Sequence, residues 1–132
     1  MLVKELLQAK PSPVTISADR TLQEAMRLLI EHKIGSLVIV NIEDNPVGII
    51  TERDIFHLAL RYQGDMMDMR VGDNMTTRMM SGIPEDDINQ IARVMIEKGI
   101  RHIPIIDSNR KLCGILSMRD IVKAKMESIV PG

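Results

Sequence analysis

The residues best suited to chemistry come as a doubled set. Gly48, Thr51, Arg53 and Asp54 in GIITERD are matched by Gly114, Ser117, Arg119 and Asp120 in GILSMRD, each pair 66 positions apart. Read as structure, Thr51 with Asp54, or Ser117 with Asp120, has the spacing of a helix capping box, with the acid at the positive end of the helix dipole. Read as a site, a helix N-terminus offers free amide N–H groups to an anion. The hydroxyl adds a donor, and the arginine adds a planar cationic fork suited to phosphate. The aspartate supplies a pair of acceptors for a cis-diol such as that of ribose. The glycine leaves room for close approach to the strand. A capping box calls for neither the arginine nor the glycine, and it prefers Glu or Gln at its third position. Phosphate donors, a diol acceptor and an apolar strand edge together describe a nucleotide site, and their doubling favours that reading.

Repeated elements must position these residues. Residues 14–60 align with 80–126 without a gap, and such internal repetition sets the architecture. Leu22, Ala25, Met26 and Leu29 form one apolar helix face, and Ile88, Ile91, Ala92 and Met95 repeat the spacing. Thr21 and Glu24 predict a capping box at the first of these helices, with Asp87 and Gln90 as its counterpart. IGSLVIV and VGII read as two strands joined by the turn NIEDNP; IRHIPII and LCGIL, joined by DSNRK, read the same way. A helix follows each hairpin, TERDIFHLAL and SMRDIVKAKM, and an earlier strand precedes each first helix, PVTI and MMSGI. Each unit is therefore β-α-β-β-α, too small to bury a sheet face alone. The expected division is an N-terminal segment 1–13, repeat one 14–60, a linker 61–79 with a flexible RYQGD, repeat two 80–126 and a tail 127–132. Val3, Leu6 and Leu7 have helical spacing, which Pro11 and Pro13 end.

Composition narrows the function. The 132 residues carry 17 basic and 18 acidic side chains, so no general attraction to nucleic acid or an anionic membrane follows. One Phe, one Tyr and no Trp argue against base-stacking platforms. The lone Cys113 excludes an internal disulfide and a cysteine zinc cage, and it points to a reducing compartment, the cytoplasm. MLVKELLQAK lacks a signal-peptide pattern, and no apolar run reaches the roughly 18 residues of a membrane span. The 11 methionines could form a thioether copper cluster, but filling irregular gaps in cores and interfaces is the reading taken.

With these motifs in hand, the chain resembles a pair of cystathionine-β-synthase-type (CBS) domains, a Bateman module. The resemblance rests on TLQEAMRLLIEHKIGSLVIV, NPVGIITERDI, VGDNMTTRMM, EKGIRHIPII and LCGILSMRDI, and covers nearly the whole chain. It implies an α+β fold of two β-α-β-β-α repeats about a pseudo-two-fold axis, sheets packed together and helices outside. It implies clefts between the repeats that take AMP, ADP or ATP, sometimes NAD or S-adenosylmethionine. Asp54 and Asp120 would bind ribose. Thr51, Arg53, Ser117 and Arg119, with Arg101 and His102, would serve phosphates. Ile34, Gly35, Ser36, Ile100, Ile103 and Pro104 would meet the adenine edge. The copies depart from one another: Gly35-Ser36 stands where the second has Arg101-His102, and Val38 where it has Pro104. The Asp120 site is therefore expected to favour phosphate-bearing ligands. Family members commonly pair into flat homodimers through helices, with Ile55, Leu58, Ile121 and Val122 as candidates here.

Catalytic patterns are missing. His32, His57 and His102 have no metal spacing, and no Walker A, G-x-S-x-G or G-x-G-x-x-G occurs. Three readings remain. One is a non-catalytic module that senses energy or metabolite state, needs no cofactor beyond its regulatory nucleotide, and acts on a separate effector protein or its own oligomer. A second is a dimerisation scaffold that has lost its ligand; a third is an enzyme with an unrecognised site. The intact Arg53, Asp54, Arg119 and Asp120 favour the first.

Overall fold

The computed structural model describes residues 1–129, with the side chain of residue 129 excepted. The elements are α1 (Val3–Leu7), β1 (Thr15–Ser17), α2 (Leu22–His32), β2 (Ser36–Val40), β3 (Pro46–Thr51), α3 (Glu52–Tyr62), α4 (Ile88–Lys98), β4 (His102–Ile106), β5 (Leu112–Ser117) and α5 (Met118–Ile129). Packing separates two compact units, residues 14–79 and residues 1–13 with the chain from 80 onward. The expected tail falls partly in α5, and its last three positions lie outside the described residues.

In the unit of residues 14–79, β1 pairs parallel to β2 and β2 pairs antiparallel to β3. Branched side chains on β2 and β3 pack under α2 and α3, so Leu22, Ala25, Leu29, Leu37, Ile39, Ile50, Ile55 and Leu58 share one core. The expected linker is part of this unit. Met66 and Val71 are buried in the core, and Leu22 N–H donates to the Met69 carbonyl at 2.8 Å. The hairpin turn is closed by Asn41, whose Oδ1 accepts from Glu43 N–H at 2.9 Å and Asn45 N–H at 3.0 Å.

The second unit repeats the hairpin. Asp107 Oδ1 accepts from Asn109 N–H at 2.8 Å and Lys111 N–H at 2.9 Å. Its expected first strand, in MMSGI, shrinks to a single bridge. Gly82 N–H donates to the Pro104 carbonyl and the Gly82 carbonyl accepts from Ile106 N–H, both at 2.9 Å. Continuing that parallel ladder by one step requires an N–H from Pro104 or from Pro84, and proline has none. The matching positions in the first unit, Val38 and Ala18, keep theirs, and β1 runs for three residues there. This unit is completed from the far end of the chain: Val3 and Leu6 of α1 lie in the core with Ile88, Ile91, Met95, Ile103, Ile105, Leu116 and Ile121. Val3 N–H donates to the Asp86 carbonyl at 2.8 Å and Ile88 N–H to the Met1 carbonyl at 3.1 Å.

The caps of the first helices differ from the predicted boxes. Thr21 Oγ1 accepts from Glu24 N–H at 3.2 Å, but Glu24 turns to Arg20, 2.9 Å away, instead of reaching back. Asp87 caps α4 through Asn89 N–H at 2.8 Å rather than through a box with Gln90, whose own N–H donates to the Asp87 main-chain carbonyl at 3.0 Å. Lys33 and Gly99, 66 positions apart, end α2 and α4 in the left-handed region, at φ 54° and 66°.

Gly48 and Gly114 lie under chain crossing their strands. A Cβ at Gly48 would stand 2.8 Å from Met75 Cγ and 3.1 Å from the Thr76 carbonyl oxygen; at Gly114 it would meet the tip of Leu7, with Cδ2 at 2.7 Å. A leucine tip can rotate away, whereas the Thr76 main chain is hydrogen-bonded to Ile49 in both directions at 2.9 Å. Gly48→Ala is expected to cost about 1–3 kcal/mol by overpacking, and Gly114→Ala under ~1 kcal/mol. Urea denaturation of the two variants gives the comparison.

Candidate functional site

Each strand-to-helix turn is closed by the same reciprocal pair of hydrogen bonds. Thr51 N–H donates to Asp54 Oδ2 at 2.9 Å, and Asp54 N–H to Thr51 Oγ1 at 3.2 Å. Ser117 N–H donates to Asp120 Oδ2 at 2.8 Å, and Asp120 N–H to Ser117 Oγ at 3.0 Å. The preference for a longer acid at the third position therefore does not hold here. Thr51 is extended, with φ −117° and ψ 164°, and an aspartate is long enough to reach its N–H. In these caps the hydroxyl oxygen accepts, so its own proton remains able to donate. The capping and binding readings thus use the same atoms compatibly: the cap fixes the carboxylate that a diol would meet.

The chain entering each hairpin is tied to the same turn. Glu52 N–H donates to the Gly35 carbonyl at 3.0 Å, and Met118 N–H to the Arg101 carbonyl at 2.9 Å. Ser36 faces Thr51, and His102 faces Ser117, in the strand register. Gly35 and Ser36 therefore sit beside Thr51 and Asp54, and Arg101 and His102 beside Ser117 and Asp120. Arg53, Arg101 and Arg119 are exposed. Ile34 and Ile100 are half-buried against their cores. Ile103 and Pro104 are buried, Ile103 inside the core, so a ligand could meet them only through the main chain.

One participant is absent from the sequence reading. Lys10 Nζ lies 2.6 Å from Asp120 Oδ2 and donates to the Ile115 carbonyl at 2.8 Å. In the other unit the matching carbonyl, Ile49, accepts instead from the Thr76 main chain. The only signal in the sequence was that the chain before PVTI lacks the Met-Thr of NMTTRMM. Burial pushes the Asp120 carboxyl up, but the hydrogen bond from Lys10, the Ser117 N–H and the Lys10 charge outweigh it and hold it below the ordinary 3.8.

Elsewhere the chemistry is spare. Burial, then the carboxylates of Asp107 and Glu85, push the Cys113 thiol up, away from a nucleophilic thiolate. Among the described residues no group of three or more His, Cys, Asp or Glu could hold a metal, and no helix is long and apolar enough to cross a membrane. The surface expected to pair with a second copy is corrected. Ile55, Leu58 and Ile121 are buried in their own cores, because they lie on the helix faces turned to their sheets. Exposed apolar side chains on the helices include Phe56 and Leu60 on α3 and Val122 and Met126 on α5, at matching positions, with Ile30 and Ile96 on α2 and α4.

The CBS domain family model matches residues 3–61 and again 71–127. The chain belongs to the CBS-domain family. It is 38% identical over 118 residues to an uncharacterized protein of Methanopyrus kandleri, covering 89% of this chain and 60% of that relative's length. Among solved structures, the CBS-domain containing protein ATU1752 of Agrobacterium tumefaciens is 32% identical with a TM-score of 0.87, covering 95% of this chain and 99% of that one. The CBS domain pair of protein MJ0100, solved in complex with 5′-methylthioadenosine and S-adenosyl-L-methionine, is 30% identical with a TM-score of 0.84, over 97% and 98% of the two chains. The fold is thus the α+β fold of a CBS domain pair.

Since the folded-state pKa of Asp120 is depressed, its ionised form favours folding. That contribution is complete above about 3.8 and is lost as pH falls through the lower folded value. Both groups are partly exposed, so it amounts to ~1 kcal/mol. Asp120→Asn is expected to be less stable than the parent at neutral pH, with the difference shrinking below pH ~3.8. Denaturant titrations across that range test this; a difference independent of pH would contradict it.

Proposed function

We propose that this CBS pair is a non-catalytic regulatory module that binds adenosine-containing ligands, AMP, ADP or ATP foremost, with NAD or S-adenosylmethionine as further candidates. The observation that carries the reading is the capped aspartate. Twice, a carboxylate is held by a main-chain N–H at a helix start, beside a hydroxyl that can still donate and an exposed arginine. Asp54 and Asp120 take the ribose diol. Thr51, Arg53, Ser117 and Arg119, with Arg101 and His102, take phosphates. The main chain at Ile34, Gly35 and Ser36, and at Ile100, Ile103 and Pro104, takes the adenine edge. The ligands of the MJ0100 pair support this, since each carries an adenosine with its ribose diol. No catalytic step is assigned; the module acts on a separate effector protein or through its own oligomer.

Adenine nucleotides are expected to raise the melting temperature more than guanine nucleotides; at 100 times Kd the stabilisation is about 2.7 kcal/mol. Asp54→Ala and Asp120→Ala should each weaken binding roughly tenfold or more, the worth of a charged hydrogen bond, while costing about 1 kcal/mol of stability as lost caps. Calorimetry showing lowered melting points with unchanged affinity would leave only the capping role.

The apolar side chains exposed on α3 and α5 support a homodimer. Phe56 and Leu60 are 71% and 81% exposed, one helical turn apart. Phe56→Glu with Val122→Glu is expected to reduce the mass measured by light scattering to that of one chain. An unchanged dimer mass would exclude these two helices from the interface, and a monomer before substitution would exclude the dimer.

A further inference from the structure

Lys10 makes the two turns unequal in a way that bears on ligand choice. Asp54 Oδ2 accepts one hydrogen bond, from Thr51 N–H. Asp120 Oδ2 accepts two, from Ser117 N–H at 2.8 Å and from Lys10 Nζ at 2.6 Å. A carboxylate oxygen has two lone pairs in its plane, so Oδ2 of Asp120 is filled and that of Asp54 is not. A cis-diol gripping both oxygens of the carboxylate needs an acceptor site on each. The aspartate itself cannot turn away, because the Ser117 cap fixes it.

The ammonium, by contrast, can leave. Lys10 follows α1, which is anchored independently by Val3 and Leu6 in the core. Its side chain is 29% exposed, and besides Asp120 its ammonium donates to the Ile115 carbonyl. Rotating the four-carbon stem into water breaks two hydrogen bonds and unfolds nothing. Pro11 follows directly, which fixes its own φ and restricts the Lys10 backbone.

We propose that Lys10 is an intramolecular competitor for the ribose diol at Asp120, so that a ligand binds this turn only by displacing the ammonium, while the Asp54 turn is open. The proposal rests on the reading of Asp120 as a ribose acceptor. It adds a specificity to that reading. A bare nucleoside must displace Lys10 with its diol alone, whereas a nucleotide brings phosphates that Arg119 and Arg101 can hold. The Asp120 turn therefore discriminates by phosphate, and the Asp54 turn does so less.

The test uses the full chain carrying Asp54→Ala, so that calorimetry reads the Asp120 turn. Adenosine is the probe, since it has the diol and no phosphate, and 2′-deoxyadenosine is the control. Lys10→Met, which keeps the stem and removes the charge, is expected to bind adenosine about fivefold more tightly, the worth of a partly exposed ion pair, with no gain for 2′-deoxyadenosine. Lys10→Gln should behave likewise, and thermal melts of both establish that they fold. Unchanged or weaker adenosine binding would overturn the competition, and so would an equal gain with both nucleosides. If neither adenosine nor AMP binds with Lys10 present or replaced, the ribose reading of Asp120 falls and takes the competition with it. If binding is present and removed by Asp120→Ala but indifferent to Lys10, only the competition falls.

Discussion

The reciprocal hydrogen bonds at each strand-to-helix turn are the constraint on which the candidate site depends. A helix start has amides with no intrahelical partner, and here the residues that satisfy them are the same ones proposed to meet a ligand. Thr51 and Asp54, like Ser117 and Asp120, each give one group to the main chain of the other. The carboxylate is thereby held in a single position before any ligand arrives. The same turn is bonded to the chain entering the hairpin, through Gly35 in one unit and Arg101 in the other. The parts of the site within each unit are therefore fixed by main-chain bonds rather than by long, mobile side chains.

The two units solve a common problem with different means. A strand edge beside the turn has carbonyls that need donors. At Ile49 the donor is the Thr76 main chain; at Ile115 it is the ammonium of Lys10. The first solution places no charge near the carboxylate, and the second places a cation directly on it. Likewise, a missing N–H at Pro84 and Pro104 reduces a three-residue strand to one bridge. Val3 and Leu6 of α1 add apolar surface to the core of that unit. Repetition of sequence pattern thus does not carry through to equal surroundings for Asp54 and Asp120.

The sequence alone determined the repeat, the α+β order of elements except the first strand of the second unit, the apolar faces of α2 and α4, and the residues Thr51, Asp54, Ser117 and Asp120 as one recurring group. These follow from local periodicity and spacing, which act over a few residues. Misreadings arose where a second local option competed: Asp87 took Asn89 rather than Gln90, and Glu24 found Arg20. Only the tertiary structure decided that Ile55, Leu58 and Ile121 face inward while Phe56 and Leu60 face out, since a helix has one face against its sheet and the pattern of apolar residues ran past that face. Only the tertiary structure brought Lys10 to Asp120, 110 positions along the chain. Nothing local marks such a pair: an ammonium on a long stem can meet any carboxylate, and which one it meets depends on where folding of the distant core leaves the end of α1.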